Sequence, residues 1–309
     1  MQTRERTALP AGLRTRPLTR TDVVAVYRLI AASELEELGE ALIDLEDIEG
    51  DWKRPSLDFE RDTLGVFEGD QLVAAAELAR NGRAQADVHP QHRGRGVGTY
   101  LIAWIEQRTR ELGGERIGQT VPVTNDAALA LFRRRGYEHK HTSWVLKLAP
   151  DDEIRGDGTP PPGVVVRPYA PGEERAAYQV VEDAFNEWPD RPATPYEDWA
   201  APVLGRPGFE PWHLLVAAEG DELLGVCNVM VSGHSVWVNE LAVRADQRGR
   251  GLGRVLLVAA FREGRARGAT WAELSTDSRT GALGLYQHVG MSVTDTFQHW
   301  ALDLRGDEK

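Results

Sequence analysis

Cysteine occurs once in the 309 residues, at Cys227, which excludes an internal disulfide and a cysteine-based zinc site. Lysine is scarce too, standing only at Lys53, Lys140, Lys147 and Lys309, so arginine carries most of the positive charge. The formal charge is −12 and no basic stretch dominates, which argues against a nucleic-acid-binding surface. Long apolar runs are missing. Nothing approaches the roughly eighteen apolar residues of a membrane span, and the opening MQTRERTALPAGLRTRP has no signal-peptide core. The expectation is a soluble, cytoplasmic protein, monomer or homodimer, without membrane or nucleic-acid partners. Hydrophobic residues at 41% and charged residues at 27% allow a core in each of two domains of about 150 residues.

The chain repeats itself. RGRGVG at 93–98 returns as RGRGLG at 248–253, an offset of 155. LRTRPLTRTD returns as VVVRPYAPGE, and the Glu-Gly-Asp turn at 68–70 returns at 219–221, each offset by 151. ALALFRRRGY returns as ALGLYQHVGM, offset by 154. Between the halves, APDDEIRGDGTPPPG (149–163) is too rich in Pro and Gly to continue a helix or strand. This predicts a first domain over 1–148, a linker over 149–163 and a second domain over 164–309. Strand-like and helix-like patterns alternate in both, so the fold class is mixed α/β. Leu252, Leu256, Ala259 and Ala260 share one helical face, as do Val97, Leu101, Ile105 and Leu112.

Each RGRGxG joins a strand to a helix. A helix N-terminus offers unpaired N–H groups and a positive dipole end, glycines admit an anion closely, and flanking arginines add charge. Arg93, Gly94, Arg95, Gly96, Val97 and Gly98 therefore form one candidate pyrophosphate cradle. Arg248, Gly249, Arg250, Gly251, Leu252, Gly253 and Arg254 form the other. The plainer reading of one copy is a tight turn with solvated arginines. A dinucleotide fingerprint fails because its third glycine is Thr99 or Arg254, and no P-loop Gly-Lys-Ser/Thr exists. His89 and His92 lack the carboxylates to complete a metal site, so no metal is expected. Cys227 reads as a small buried apolar residue. The acids of ELEELGEALIDLEDIEG (34–50) read as a solvated helical face.

Arg-x-x-Gly-x-Gly between strand and helix resembles the coenzyme A signature of the GNAT acetyltransferase superfamily, and TGALGLYQHVGM resembles its closing motif. The resemblance covers nearly the whole chain twice. It implies two tandem GNAT-like domains, each a mostly antiparallel sheet flanked by helices, with acetyl-CoA as the bound donor. Duplicated members exist in that family, mycothiol synthase among them. It also implies that the backbone of Leu241, Ala242 and Val243, and of Ala86, Asp87 and Val88, meets the pantetheine amides.

Transfer to an amine needs a proton acceptor near the amine and a donor for the departing thiolate. Glu240 and Tyr286 stand at those places in the second half, whereas the first half has Gln85 and Phe132, which can do neither job. The first domain thus reads as a cofactor-binding or scaffolding relic and the second as the enzyme. Tyr286 is also readable as packed structure, and Glu187, Asp190 or Asp183 as the source of the carboxylate. Glu187, Trp188, Tyr196 and Trp237 are candidate contacts for the acceptor. The expected reaction is direct acetyl transfer to a primary amine, with a small molecule as acceptor. A mycothiol-synthase-like role, a protein acetyltransferase and a non-catalytic acyl-CoA sensor stay open.

Overall fold

The computed structural model describes residues 8–79, 82–187 and 193–305, in two compact units. In chain order the first repeat runs β1 (Leu13–Arg16), α1 (Val23–Leu38), α2 (Leu45–Asp51), α3 (Phe59–Asp62), β2 (Thr63–Glu68), β3 (Gln71–Ala79), β4 (Arg83–Val88), α4 (Val97–Glu111), β5 (Arg116–Pro122), α5 (Asp126–Arg135) and β6 (Glu138–Leu148). The second runs β7 (Val164–Pro168), α6 (Glu174–Phe185), α7 (Tyr196–Val203), β8 (Leu214–Glu219), β9 (Glu222–Ser232), β10 (Ser235–Val243), α8 (Leu252–Ala266), β11 (Trp271–Asp277), α9 (Leu283–His288) and β12 (Ser292–Asp303).

The division between the units does not fall at 149–163. One unit comprises Met1–Thr142 with Phe297–Lys309, the other Ser143–Thr296. In the first, the strand order is β1-β2-β3-β4-β5, and Phe297–Asp303 of β12 pairs antiparallel with β5. In the second the order is β7-β8-β9-β10-β11, and Ser143–Leu148 of β6 pairs antiparallel with β11. Each repeat thus gives its final strand to the other unit. Trp300 and Leu302 of β12, 7% and 5% exposed, sit in the first unit's core with Phe132, Tyr137 and Ile117. Leu146 and Leu148 of β6 sit in the second core with Leu256 and Phe261. The segment 149–163 has neither helix nor strand, and it is strapped to the second unit. Arg265 donates to the Ala149 and Asp152 carbonyls, Arg262 donates to that of Asp157, and Ile154 packs on the core.

The repeated landmarks have physical causes. Arg16 grips Asp22 with two hydrogen bonds of 2.8 and 2.7 Å, tying β1 to the start of α1. Arg167 grips Glu173 at 2.8 and 2.7 Å, tying β7 to α6. Both carboxyls are held down to about 2, chiefly by these charge-assisted bonds. The Glu-Gly-Asp turns close the β2–β3 and β8–β9 hairpins, with Gly69 and Gly220 at φ +59° and +61°. The expected helix faces hold except at Leu112, which caps α4 and is 44% exposed.

Trp300→Ala should destabilise the first unit, although Trp300 follows the second repeat's last helix in sequence. The expected cost is about 3–5 kcal/mol, read as faster amide exchange in β3 and α4 with α8 unchanged. Arg167→Met should cost about 1 kcal/mol at pH 7. A carboxyl whose folded pKa is depressed stabilises above its ordinary value and loses that contribution as pH falls toward about 2. The difference from the unsubstituted chain in urea melts should therefore vanish near pH 2.

Candidate active site

The cradles sit where the glycines predict. β10 ends at Val243, the chain turns through Ala245–Gln247, and α8 starts at Leu252 with Gly251 as N-cap at φ +82°. In the first unit Gly96 caps α4 at φ +88°. Nothing heavy stands within 3.8 Å of a Cβ built at Gly96 or Gly251, so the requirement is the left-handed backbone rather than space. A Cβ built at Gly253 would make only ordinary contact with Leu285 and Val243, and one at Gly98 with Leu131 and Val88, at 3.8–3.9 Å. Val97 and Leu252 anchor the helix starts, each 1% exposed. The first turn of either helix has no intrahelical acceptor for its N–H groups, which point out of the N-terminus.

The cradle arginines have partners within the chain. Arg248 donates twice to Glu187, at 2.7 and 2.9 Å, and its Nε reaches the Val243 carbonyl. Arg93 pairs with Glu37 at 2.6 Å, donates to Ser33 Oγ, and its Nε reaches the Val88 carbonyl. Arg95 pairs with Glu68 and Arg250 with Glu219. Arg93, Arg95, Arg248 and Arg250 are thus each met by a carboxylate. Arg254, on the first turn of α8, is exposed.

Beside each cradle two parallel strands part. β10 pairs with β11 only over Ser235–Val238, and β4 pairs with β5 only at Arg83 and Gly118. Beyond those points Leu241, Ala242 and Val243 are laddered to β9 alone, and Ala86, Asp87 and Val88 to β3 alone. Each strand so keeps an edge of N–H and C=O groups toward the gap, the donor and acceptor set that an amide-bearing arm needs. In the first unit the gap opens into a cavity of about 810 Å³, lined by the cradle glycines, Ala84–Val88, Gln119 and Phe132.

A bulge decides where Glu240 faces. In β10 the register with β9 slips between Val238 and Glu240, leaving Asn239 as the extra residue. Before the bulge, Val236 and Val238 pack into the core beneath α8, which puts Trp237 on the opposite face. After it, Ala242 packs with α6 and α7, and Leu241 and Val243 take the α8 side. The parity flips, so Glu240 lies on the face covered by α6 and α7. There its Oε2 accepts from Trp199 Nε1 at 3.0 Å and Asn228 Nδ2 at 3.3 Å. Tyr286, on α9, is 8% exposed. Burial pushes its hydroxyl up to about 12 against the opposing Thr276 hydroxyl, so it keeps its proton at neutral pH. Cys227 is fully buried in the α8-side core, and burial raises its thiol.

The first unit reverses one exchange that sequence comparison missed. Across β3 and β4, Glu77 stands opposite Gln85; across β9 and β10, Asn228 stands opposite Glu240. Acid and amide have traded strands. Trp52 Nε1 donates to Glu77 at 3.0 Å, as Trp199 does to Glu240. Glu77 also forms a 2.7 Å ion pair with Arg54, which is shared with Asp51. The signal was present, because the Glu-Gly-Asp offset of 151 aligns Glu77 with Asn228.

Among the acceptor candidates, Glu187 is engaged by Arg248, and Trp188 and Asp190 lie outside the described residues. Tyr196 starts α7, packed against Tyr178 and Trp199 with Arg175 over its ring at 4.0 Å. Trp237 lies in the paired stretch of β10, short of the parting. The acids of 34–50 are not one solvated face: Gly39 ends α1 at φ +83°, and Glu34 and Glu37 line the first unit's cavity.

Comparison with known proteins agrees with this geometry. The family described as "Acetyltransferase (GNAT) family" matches residues 24–137 and 175–291. A mycothiol acetyltransferase of Streptomyces scabiei is 27% identical over 95% of this chain and 97% of its own. One from Saccharopolyspora erythraea is 29% identical over 76% and 82%. The crystal structure of a GCN5-related N-acetyltransferase from Sphaerobacter thermophilus superposes with a TM-score of 0.76 at 29% identity, over 96% and 97% of the two chains. A tandem GNAT protein from the clavulanic acid biosynthesis pathway shares the fold, with a TM-score of 0.73 at 19% identity over 94% and 98%.

If the N-caps hold the pyrophosphate, a side chain at φ near +80° costs about 1–2 kcal/mol and stands over the helix end. Gly251→Val should weaken acetyl-CoA binding in the second unit at least tenfold by calorimetry. Gly96→Val should remove any separate first-unit site and leave the second intact.

Proposed function

Because the chain belongs to the acetyltransferase (GNAT) family, we propose that its second unit moves the acetyl group of acetyl-CoA directly to a primary amine of a small molecule, with Glu240 and Tyr286 as catalytic residues. The observation that carries this reading is the bulge at Asn239, which turns Glu240 onto the α6–α7 face next to the parted strands. The residues present fit the coenzyme: a helix N-terminus capped by a left-handed glycine, and the free edge of Leu241–Val243. Acetyl-CoA supplies a thioester whose carbonyl carbon accepts the amine. The backbone N–H groups of Gly251–Arg254 hold its pyrophosphate, and the β10 edge orients its arm.

An alkylamine is mostly protonated at neutral pH, with a pKa near that of lysine, about 10. Glu240 takes that proton, directly or through a water, and leaves a lone pair on nitrogen. Trp199 and Asn228 fix one carboxylate oxygen and leave the group its orientation. A β10 N–H polarises the thioester oxygen; as the C–N bond forms and the C–S bond breaks, Tyr286 gives its retained proton to the departing sulfur, and the proton left on the new amide nitrogen returns to the Tyr286 oxygen. Gln85 and Phe132 lack both capacities, which supports placing turnover in the second unit alone.

For the acceptor, the relatives bearing the name mycothiol acetyltransferase at 26–29% identity support an amine on a cysteinyl pseudo-disaccharide. Mass-spectrometric detection of its N-acetyl product, against a panel of simple amines, tests that choice. Glu240→Gln should lower kcat by about 10²–10⁴ with the KM for acetyl-CoA within about twofold, and Tyr286→Phe should lower kcat by a smaller factor. Gln85→Ala and Phe132→Leu should leave kcat unchanged. A large loss at either first-unit position would overturn the division of labour.

A further inference from the structure

In each unit the arginine that opens the cradle is held by a carboxylate from the helix that follows the first strand, but the two grips differ. In the second unit every guanidinium nitrogen of Arg248 is engaged. Its Nε meets the Val243 carbonyl, and the other two meet Glu187, just past the end of α6, at 2.7 and 2.9 Å. Among the described residues Glu187 has no other partner, and the side chains of the pair are 46% and 44% exposed. In the first unit Glu37, on the last turn of α1, pairs with Arg93 at 2.6 Å. Glu37 also accepts from Asn125, the residue that caps α5, and Arg93 also donates to Ser33. Those two side chains are 29% and 13% exposed.

An exposed ion pair is screened by water and salt and exchanges partners readily, whereas a sheltered pair with further hydrogen bonds resists exchange. The forked edge of a guanidinium fits a phosphate as well as it fits a carboxylate. Arg248 stands at the mouth of the second cradle, a few residues ahead of the Gly251 cap. A pyrophosphate on the first turn of α8 brings its oxygens toward the edge that Glu187 occupies. Two anions drawn to one exposed cation repel each other, so the stronger anion displaces the weaker.

We propose that Glu187 is an internal competitor of the coenzyme: the pyrophosphate takes Arg248 from it on binding, and Glu187 takes Arg248 back as the spent coenzyme leaves. The inference rests on the second unit being the acetyl-CoA site. It makes Glu187 a positioning residue that acts through Arg248 and speeds product release, rather than a contact for the acceptor. In the first unit the added bonds from Ser33 and Asn125 make the same pair a fixed clamp. While paired, Arg248 holds the Glu187 carboxyl below the usual carboxylate range, so the exchange has its own reporter.

That reporter is the side-chain carboxyl carbon of Glu187, followed by NMR and assigned by its loss in Glu187→Gln. In the free protein it should titrate below the usual range, and with saturating acetyl-CoA its midpoint should rise to about 4.3 or above. In a crystal structure of the CoA complex, Arg248 should contact phosphate oxygens and no longer Glu187. At pH 7 Glu187→Gln should bind CoA about threefold more tightly by calorimetry, with dissociation slowed by a similar factor in stopped flow. Glu37→Gln should leave second-unit binding unchanged. An unmoved midpoint, an ion pair that stays intact in the complex, or CoA binding in Glu187→Gln that is unchanged or weaker overturns the proposal. Provided Gly251→Val abolishes that binding, these failures leave the reading of the second unit standing. Acetyl-CoA binding that is absent, or that survives Gly251→Val, overturns that reading and the proposal with it.

Discussion

A parallel strand pair that separates soon after it begins governs both units. Parallel pairing satisfies the backbone of β10 and β11 for four residues, and of β4 and β5 for one, and then stops. From there the strand edge must find partners outside the sheet, and a glycine-capped helix starts at the mouth of the same gap. A polar edge, a helix N-terminus and a sheltered opening come from one geometric event. Everything proposed for the coenzyme depends on it, and so does the acceptor side, since whatever lies across the gap meets the thioester.

Much of this was legible because it rests on backbone conformation. Gly96 and Gly251 are where they are because only glycine accepts the left-handed cap, and that constraint leaves a mark in the chain. The paired Arg16–Asp22 and Arg167–Glu173 clamps were visible as repeated phrases before their role was known. What was not legible depended on partners far apart in sequence. Nothing local to the cradles discloses that Glu37, Glu68, Glu187 and Glu219 reach their arginines. Glu34 and Glu37 were assigned to solvent because an acid-rich helix has no sign that tells which face a cavity will border. The position of the Asn239 bulge depends on the β9 register, which a single strand does not encode.

The two units have diverged by small exchanges within one frame. Glu77 and Gln85 mirror Asn228 and Glu240 with the charge on the other strand, and an indole N–H meets the acid in both. Arg54 marks the difference by forming a 2.7 Å ion pair with Glu77, although burial still raises that carboxyl above its ordinary value. Phe132 is a buried part of the first core where Tyr286 keeps a hydroxyl in the second. With these exchanges in place the first unit keeps a cavity of about 810 Å³.

The exchange of final strands has a consequence for how the chain is made. Gln119 and Trp300, paired in the first unit, are roughly 180 positions apart. Closing so long a loop is slow compared with forming local hairpins and helices. During synthesis the first repeat emerges with β5 as an uncovered edge and its core short of Trp300 and Leu302, and it waits in that state while the whole second repeat is made. The half that leaves the ribosome first is the half that matures last, and in that interval its open edge is where chaperones, or another nascent copy, would find it.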